Sequence, residues 1–235
     1  MKKKGIWQEI LDRGIWVLIF LIGLVLSQLP LILSALLSAR QFPLLQSGLL
    51  VALLSIAVLT IFVISARKAQ LATFNLSFFK AKDLARLVLS YLVIFTNNLF
   101  GSTLLRLMNE STTSNQSTIN NLVQNSSLIS SFCLLVLIAP ICEEILCRGI
   151  IPKKIFRGKE KLGYLVGAVV FALLHTPTNL PSLLIYGGMS TVLTWTAYRT
   201  ERLEMSILLH MIVNGIAFCL LALLVLISRN VGLPF

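Results

Sequence analysis

The run Ala139-Pro140-Ile141-Cys142-Glu143-Glu144-Ile145-Leu146-Cys147-Arg148-Gly149 sets two adjacent carboxylates and a guanidinium inside a long apolar stretch. A charged side chain near the middle of a bilayer costs roughly 2.5–3.5 kcal/mol on insertion scales. The other seven acids (Glu9, Asp12, Asp83, Glu110, Glu160, Glu201 and Glu204) fall at the ends of apolar stretches or between them. The two histidines of the chain, His175 and His210, also lie in apolar stretches. Packing does not account for this arrangement. It points to a polar reaction centre buried among membrane helices.

The rest of the chain agrees with a membrane setting. Hydrophobic residues make up 57% of the 235 residues and the mean hydropathy is +0.89, well above a soluble domain. Seven stretches approach the about 20 residues that a helix needs to cross the hydrocarbon core. They lie near 15–38, 44–65, 86–106, 127–150, 163–178, 181–198 and 205–228. Their continuous Leu, Ile and Val runs lack the short alternation of a transmembrane β-barrel. The fold class is therefore all-α: a polytopic bundle of about seven spans, without a separate soluble domain or internal repeat. Residues 1–235 read as one membrane-embedded domain.

The net charge of +11 raises the question of nucleic acid, and its distribution answers it. With the N-terminus inside, Lys2, Lys3, Lys4, Arg13, Arg67, Lys68, Lys80, Lys82, Arg86, Arg148, Lys153, Lys154, Arg157, Lys159, Lys161, Arg199 and Arg202 all fall on the inner side. Arg40, Arg106 and Arg229 fall outside. Seventeen against three is the positive-inside bias, which predicts the N-terminus in and the C-terminus out. The basic residues face anionic lipid; no nucleic-acid partner is expected.

The opening Met-Lys-Lys-Lys precedes an apolar run too long for a signal peptide and lacking an A-x-A-type cleavage site, so a retained first span is expected. Cys133, Cys142, Cys147 and Cys219 have no C-x-x-C spacing and read as small buried hydrophobes. The segment Asn109–Ser127 is rich in Ser, Thr, Asn and Gln and reads as a solvated outer loop. The mixed segment Phe74–Arg86 is expected to lie along the inner interface. Asn97 and Asn98 read as interhelical hydrogen-bonders, and Gly187-Gly188 as a site of close helix packing.

On a helix, Glu144 and Arg148 stand at i and i+4 on one face, acid first. Glu143, rotated by about 100°, faces elsewhere. One carboxylate is thereby paired and the other left free. Pro140 removes a helix hydrogen bond one turn earlier. The fifth span carries Phe171-Ala172-Leu173-Leu174-His175, and the seventh carries His210-Met211-Ile212-Val213-Asn214, with His210 and Asn214 on a shared face. A carboxylate takes a proton from water, imidazoles orient that water or bind a metal, and a carboxamide N–H stabilises an oxyanion. Together these suit hydrolysis of a carbonyl compound. Taken singly, each polar residue is also explained as interhelical glue.

E-E-x-x-x-R at Glu143–Arg148, F-x-x-x-H at Phe171–His175 and H-x-x-x-N at His210–Asn214 occur in the order found in the CPBP intramembrane proteases. That family includes the type II CAAX prenyl endopeptidases and the bacterial Abi proteins, which are linked to bacteriocin processing and self-immunity. The chain resembles this family over about residues 130–220, the expected catalytic core. The resemblance implies an endopeptidase of the cell membrane, cleaving a peptide or membrane-protein substrate near the cytoplasmic face. Glu143 would activate water, with His175, His210 and Asn214 completing the site and Glu144 and Arg148 supporting it. It also suggests bacteriocin or pheromone processing, or self-immunity.

For the site to be level, either the fourth helix extends inward past Pro152 toward Phe156 or the fifth starts deeper or tilts; the first is expected, with Lys153 and Lys154 snorkelling. Glu143, His175 and His210 are the candidate ligands of a divalent metal such as zinc. The expectation leans to no cofactor, because Glu144 is assigned to Arg148 and no further acid is at hand to orient the imidazoles. Two other function classes stay open: a proton-coupled transporter, since intramembrane Glu and His also build proton relays, and a non-catalytic immunity or scaffold protein.

Overall fold

The computed structural model describes residues 5–231 apart from Leu76 and Phe78, and apart from the side chains of Arg229 and Asn230. Lys2, Lys3, Lys4 and the Arg229 side chain, used in the charge count above, lie outside the described residues. The described residues form helices and no strand. In chain order these are α1 (Ile6–Ala39), α2 (Leu44–Lys68), α3 (Ala81–Leu107), α4 (Ser114–Asn125), α5 (Leu128–Ile155), α6 (Glu160–Leu174), α7 (Leu180–Thr200) and α8 (Leu203–Val231).

A helix occupies each of the seven apolar stretches. Five of them (α1, α2, α3, α5 and α8) are long and apolar enough to cross a membrane. The 15-residue α6 is too short for that criterion. The 21-residue α7 is diluted by Gly187, Gly188, Ser190, Thr191, Thr194 and Thr196. The outer surface of the bundle is apolar: Leu53, Leu89, Leu165 and Leu220 are all at least 60% exposed. Leucine on the outside and small or polar residues inside is the pattern of helices solvated by lipid. In α1 the buried residues are Gly23, Ser27, Pro30 and Ser34, a seam of small side chains that lets its backbone approach its neighbours. The chain is a multi-pass membrane protein.

The helix that carries the two glutamates is irregular, and its prolines explain where. In α5 the turns widen over Cys133–Ile138 and again over Ile145–Ile155, so that an N–H reaches the carbonyl five residues back. Ala139 N donates to Leu134 O in this way, and Phe156 N donates to Ile151 O. The next donor in the first series would be Pro140, which has no N–H. The Leu135 carbonyl it leaves free accepts instead from Asn214 Nδ2 at 3.0 Å. In the second series Pro152 leaves the Cys147 carbonyl without that donor, and α6 packs there through Gly167. A Cβ at Gly167 would collide with the Cys147 carbonyl, and one at Gly163 with Pro152. Two missing hydrogen bonds thus become two interhelical contacts. The extension of α5 past Pro152, needed to level the site, is present: the helix runs to Ile155.

Three expectations are corrected, and a fourth, for Phe74–Arg86, is filled in. The segment Asn109–Ser127 is not wholly loop, since it contains the 12-residue α4. Thr113 Oγ1 accepts from Gln116 N at 3.1 Å to cap it. Ile119, Leu122 and Val123 give this polar helix one apolar face, with Val123 fully buried. The interface segment Phe74–Arg86, of which Leu76 and Phe78 lie outside the described residues, ends in the first turns of α3, where Asp83 Oδ2 accepts from Lys80 N. His175 sits one residue past the end of α6 rather than within the span. Arg148 belongs to the bundle interior, 0% exposed, and not to the inner basic loop.

Candidate active site

Arg148 anchors the centre. Its Nη1 donates to Glu144 Oε1 at 2.9 Å, with both side chains 0% exposed. Nη2 donates to Ser190 Oγ at 2.7 Å and to Ser190 O at 3.0 Å, and Nε donates to Thr194 Oγ1 at 3.2 Å. Ser190 Oγ in turn donates to the Ala168 carbonyl at 2.8 Å. The guanidinium also lies 4.2 Å from the centre of the Phe171 ring, a cation–π contact. A buried cation needs this density of partners to offset its lost hydration.

Glu144 serves two partners through one oxygen. His210 Nδ1 lies 3.1 Å from the same Oε1. Because a carboxylate accepts, this contact puts the proton on Nδ1 and turns the unprotonated Nε2 away from Glu144. That Nε2 faces Glu143 Oε2 at 4.0 Å, an oxygen that is buried and has no hydrogen-bond partner. Two acceptors facing each other at this separation require a proton donor between them, and a water molecule supplies two. The Glu143 side chain as a whole is 27% exposed, and it borders a cavity while Glu144 does not. The division into a paired and a free carboxylate follows the sequence spacing.

His175 is held differently. Its Nδ1 donates to the Phe171 carbonyl at 2.8 Å, which leaves Nε2 as the acceptor. The ring packs between Phe171 and Tyr186, with centroids 4.5 and 4.8 Å away. Tyr186 is fixed by Thr113, its hydroxyl 2.6 Å from Thr113 Oγ1, and by Asn115 Nδ2 at 3.3 Å. The assignment of Glu144 to Arg148 is extended, since the same carboxylate also meets an imidazole. Glu144 orients His210 and a backbone carbonyl orients His175.

Two cavities converge on these residues. One, of about 380 Å³, is bordered by Glu143, His175 and Asn214 with apolar side chains of α1 and α5. The other, of about 310 Å³, is bordered by His175, His210, Asn214 and Tyr186 with polar side chains of α3 and α4. Helices α5, α6 and α8 therefore bring Glu143, His175, His210 and Asn214 to one place. Asn214 spends one amide N–H on Leu135 O, the interhelical contact that composition alone also allows. Among the described residues, no group of three or more His, Cys, Asp or Glu side chains is placed to hold a metal ion.

Sequence reasoning missed Ser190, Thr194, Tyr186 and Thr113. A signal for three of these exists in hindsight: Tyr186, Ser190 and Thr194 recur every four residues, a polar stripe on one face of α7 matching Glu144 and Arg148 on α5.

Comparison with known proteins gives the same identification. Residues 125–216 match the family described as type II CAAX prenyl endopeptidase Rce1-like. The UPF0177 protein YvdC of Lactococcus lactis subsp. lactis (strain IL1403) is 27% identical over 206 residues, which are 86% of this chain and 75% of that protein. Two more Lactococcus proteins match over shorter lengths. The UPF0177 protein YaiH is 36% identical over 36% of this chain and 35% of its own length. The UPF0177 protein in the abiGi 5′ region of L. lactis subsp. cremoris is 37% identical over 41% of this chain and 40% of its own length. No solved structure matches. The matched segment contains all three motifs and both helices that frame Arg148, and over it the chain is similar to the Rce1-like family of type II CAAX prenyl endopeptidases.

Proposed function

We propose that this protein is an intramembrane endopeptidase in which Glu143 activates the attacking water. One observation carries the reading: an unpaired carboxylate oxygen faces the Nε2 of an imidazole whose other nitrogen is fixed by a buried Glu–Arg pair. Water held between the two gives its proton to Glu143 and attacks the peptide carbonyl. His210 and His175 offer Nε2 acceptors that aim the water. The Asn214 N–H not used on Leu135 is placed to meet the developing oxyanion. Glu143 then passes the proton to the leaving amine nitrogen. The region 130–220 is the catalytic core of a single domain 1–235. The substrate is a peptide or membrane protein of the leader, pheromone or bacteriocin-related kind, in processing or in self-immunity. Comparing the peptides of cells that carry wild type with those carrying Glu143→Gln identifies it. A peptide that accumulates uncut only with the variant supports the reading, and indistinguishable peptide populations count against it.

In this reading the chemistry needs no step through metal, because Glu143 itself takes the proton from water. Elemental analysis of active protein checks this. Stoichiometric zinc, with activity lost to a chelator and restored by metal, would overturn it.

The topology is N-terminus in and C-terminus out, with seven crossings, α6 and α7 included, whose outer faces carry exposed apolar residues such as Leu165 and Trp195. Reporter fusions after Asn120 and after Lys159 are expected to report opposite sides, the first external. Signals from the same side would sink this topology.

A further inference from the structure

The site is closed on one side and open on the other. Toward the basic loops, Leu146, Cys147, Arg148, Met205 and Leu209, each no more than 1% exposed, form a packed layer beneath Glu144, with Gly163 close against Pro152 and Gly149 against Leu71 and Leu203. An apolar cavity of about 300 Å³ between α1, α2 and α5 also borders Leu146, but none of Glu143, His175, His210 and Asn214 lines it. Away from those loops, α6 stops at Leu174, and the start of α4 reaches down to Tyr186 through Thr113 and Asn115. Asn115 and Ile119 of α4 border both cavities. The helix joins the ends of α3 and α5 opposite Lys153, Lys154, Arg157, Lys159 and Lys161.

The two cavities also differ in chemistry. On the α3 and α4 side the border is uncharged and hydrogen-bonding, with Asn98, Ser102, Thr112 and Gln116. On the α1 and α5 side it is mainly apolar, with Leu24, Leu31, Leu134 and Ile138. No Lys or Arg borders either cavity among the described residues, and Glu143 is their one carboxylate. Such a site has no cationic side chain to pair with a free C-terminal carboxylate. It has abundant neutral partners for extended backbone.

We propose that the site is entered from the membrane face that carries α4, opposite the basic loops, and that it takes an internal, uncharged polypeptide segment with an apolar residue on the α1 side. This rests on the endopeptidase reading and reverses the cytoplasmic side expected from sequence. The substrate class is an exported or outward-facing chain, cut within its length rather than at a terminal carboxylate.

Charged, membrane-impermeant methanethiosulfonates test this without any substrate. Cysteine is introduced as Ala139→Cys, in the cavity bordered by Glu143, or as Asn98→Cys, in the other cavity. Both are made in the Cys219→Ala chain, since Cys219 is the exposed native thiol; that parent chain supplies the blank. Lys159→Cys marks the basic side. The expected result is modification of both cavity cysteines in spheroplasts and not in inside-out vesicles, with Lys159→Cys giving the reverse. The trimethylammonium reagent should outpace the sulfonate at Ala139→Cys, and Glu143→Gln should erase that preference. Cavity cysteines that react from the Lys159 side, or from neither side, overturn the entry face. Faster reaction of the sulfonate overturns the internal-segment assignment, because it reveals a cationic centre. Side-dependent labelling is read in the Glu143→Gln chain as well, where nothing is hydrolysed. Labelling as expected without any detectable peptide cleavage by wild type would therefore remove the enzyme reading and leave the entry face standing.

Discussion

Glu143→Gln is expected to give a protein that inserts and folds as wild type does but does not turn over. General-base proton transfer supplies about 10²- to 10⁴-fold in rate, and the loss should be at least of that order because no second carboxylate can substitute. Glu144 is the nearest; its Oε1 already accepts from both Arg148 and His210, and although its Oε2 has no hydrogen-bond partner, Glu144 borders neither cavity that holds the site. Glutamine keeps the volume of glutamate but cannot take a proton from water. Stability should barely change, since Glu143 Oε2 has no hydrogen-bond partner to lose and the side chain borders a cavity rather than the packed core. The measurement is cleavage by purified variant and wild type at matched folded fractions. Wild-type turnover by Glu143→Gln would remove this residue from the catalytic role.

Arg148→Ala should fail in the opposite way, by failing to accumulate. The substitution strands the Glu144 charge in a fully buried position and removes the donors to Ser190 and Thr194. Breaking a buried ion pair from one side costs about 3–5 kcal/mol, a large share of a typical net stability of about 5–15 kcal/mol. Glu144→Gln should be less severe, because its amide oxygen can still accept from Arg148. It leaves the guanidinium without a countercharge. The double variant Glu144→Met with Arg148→Met is the informative control. It removes both charges together, so its loss should be well below the sum of the single losses. Activity should not return, since His210 Nδ1 loses the acceptor that holds its ring. Thermal unfolding in detergent, with protein level in the membrane, reads all four chains. Arg148→Ala unfolding at the wild-type temperature would mean that the pair is not a structural anchor.

The two losses separate roles that the motif letters do not distinguish. Adjacent glutamates on a helix differ by about 100°, and that rotation alone turns one into the packed layer and the other toward open space. The same geometry explains why the pair tolerates the bilayer interior: one member is paired with a cation, and the other borders a cavity.

Much was determined by the sequence alone, and for a physical reason. Apolar runs in a lipid solvent leave helices as the main way to satisfy the backbone, so the seven apolar helices, all but α4, could be read from hydropathy. The i, i+4 spacing fixed the Glu144–Arg148 pair before any packing was known, because a helix makes those positions neighbours. Motif order nominated Glu143, His175, His210 and Asn214. What the sequence could not contain is what arises between helices. Pro140 read as a missing hydrogen bond, but only the packing of α8 against α5 shows that Asn214 fills it. Glu144 read as the partner of Arg148, and only three-dimensional proximity adds His210, 66 positions away. The polar segment Asn109–Ser127 read as solvated loop because composition reports average polarity. Its helix and its place over the cavities depend on three apolar residues finding a face to cover. The direction in which the site opens is likewise a property of which end of the bundle is packed solid. Local spacing is a property of one helix and survives in the sequence, whereas a cavity exists only where several helices fail to fill the space between them.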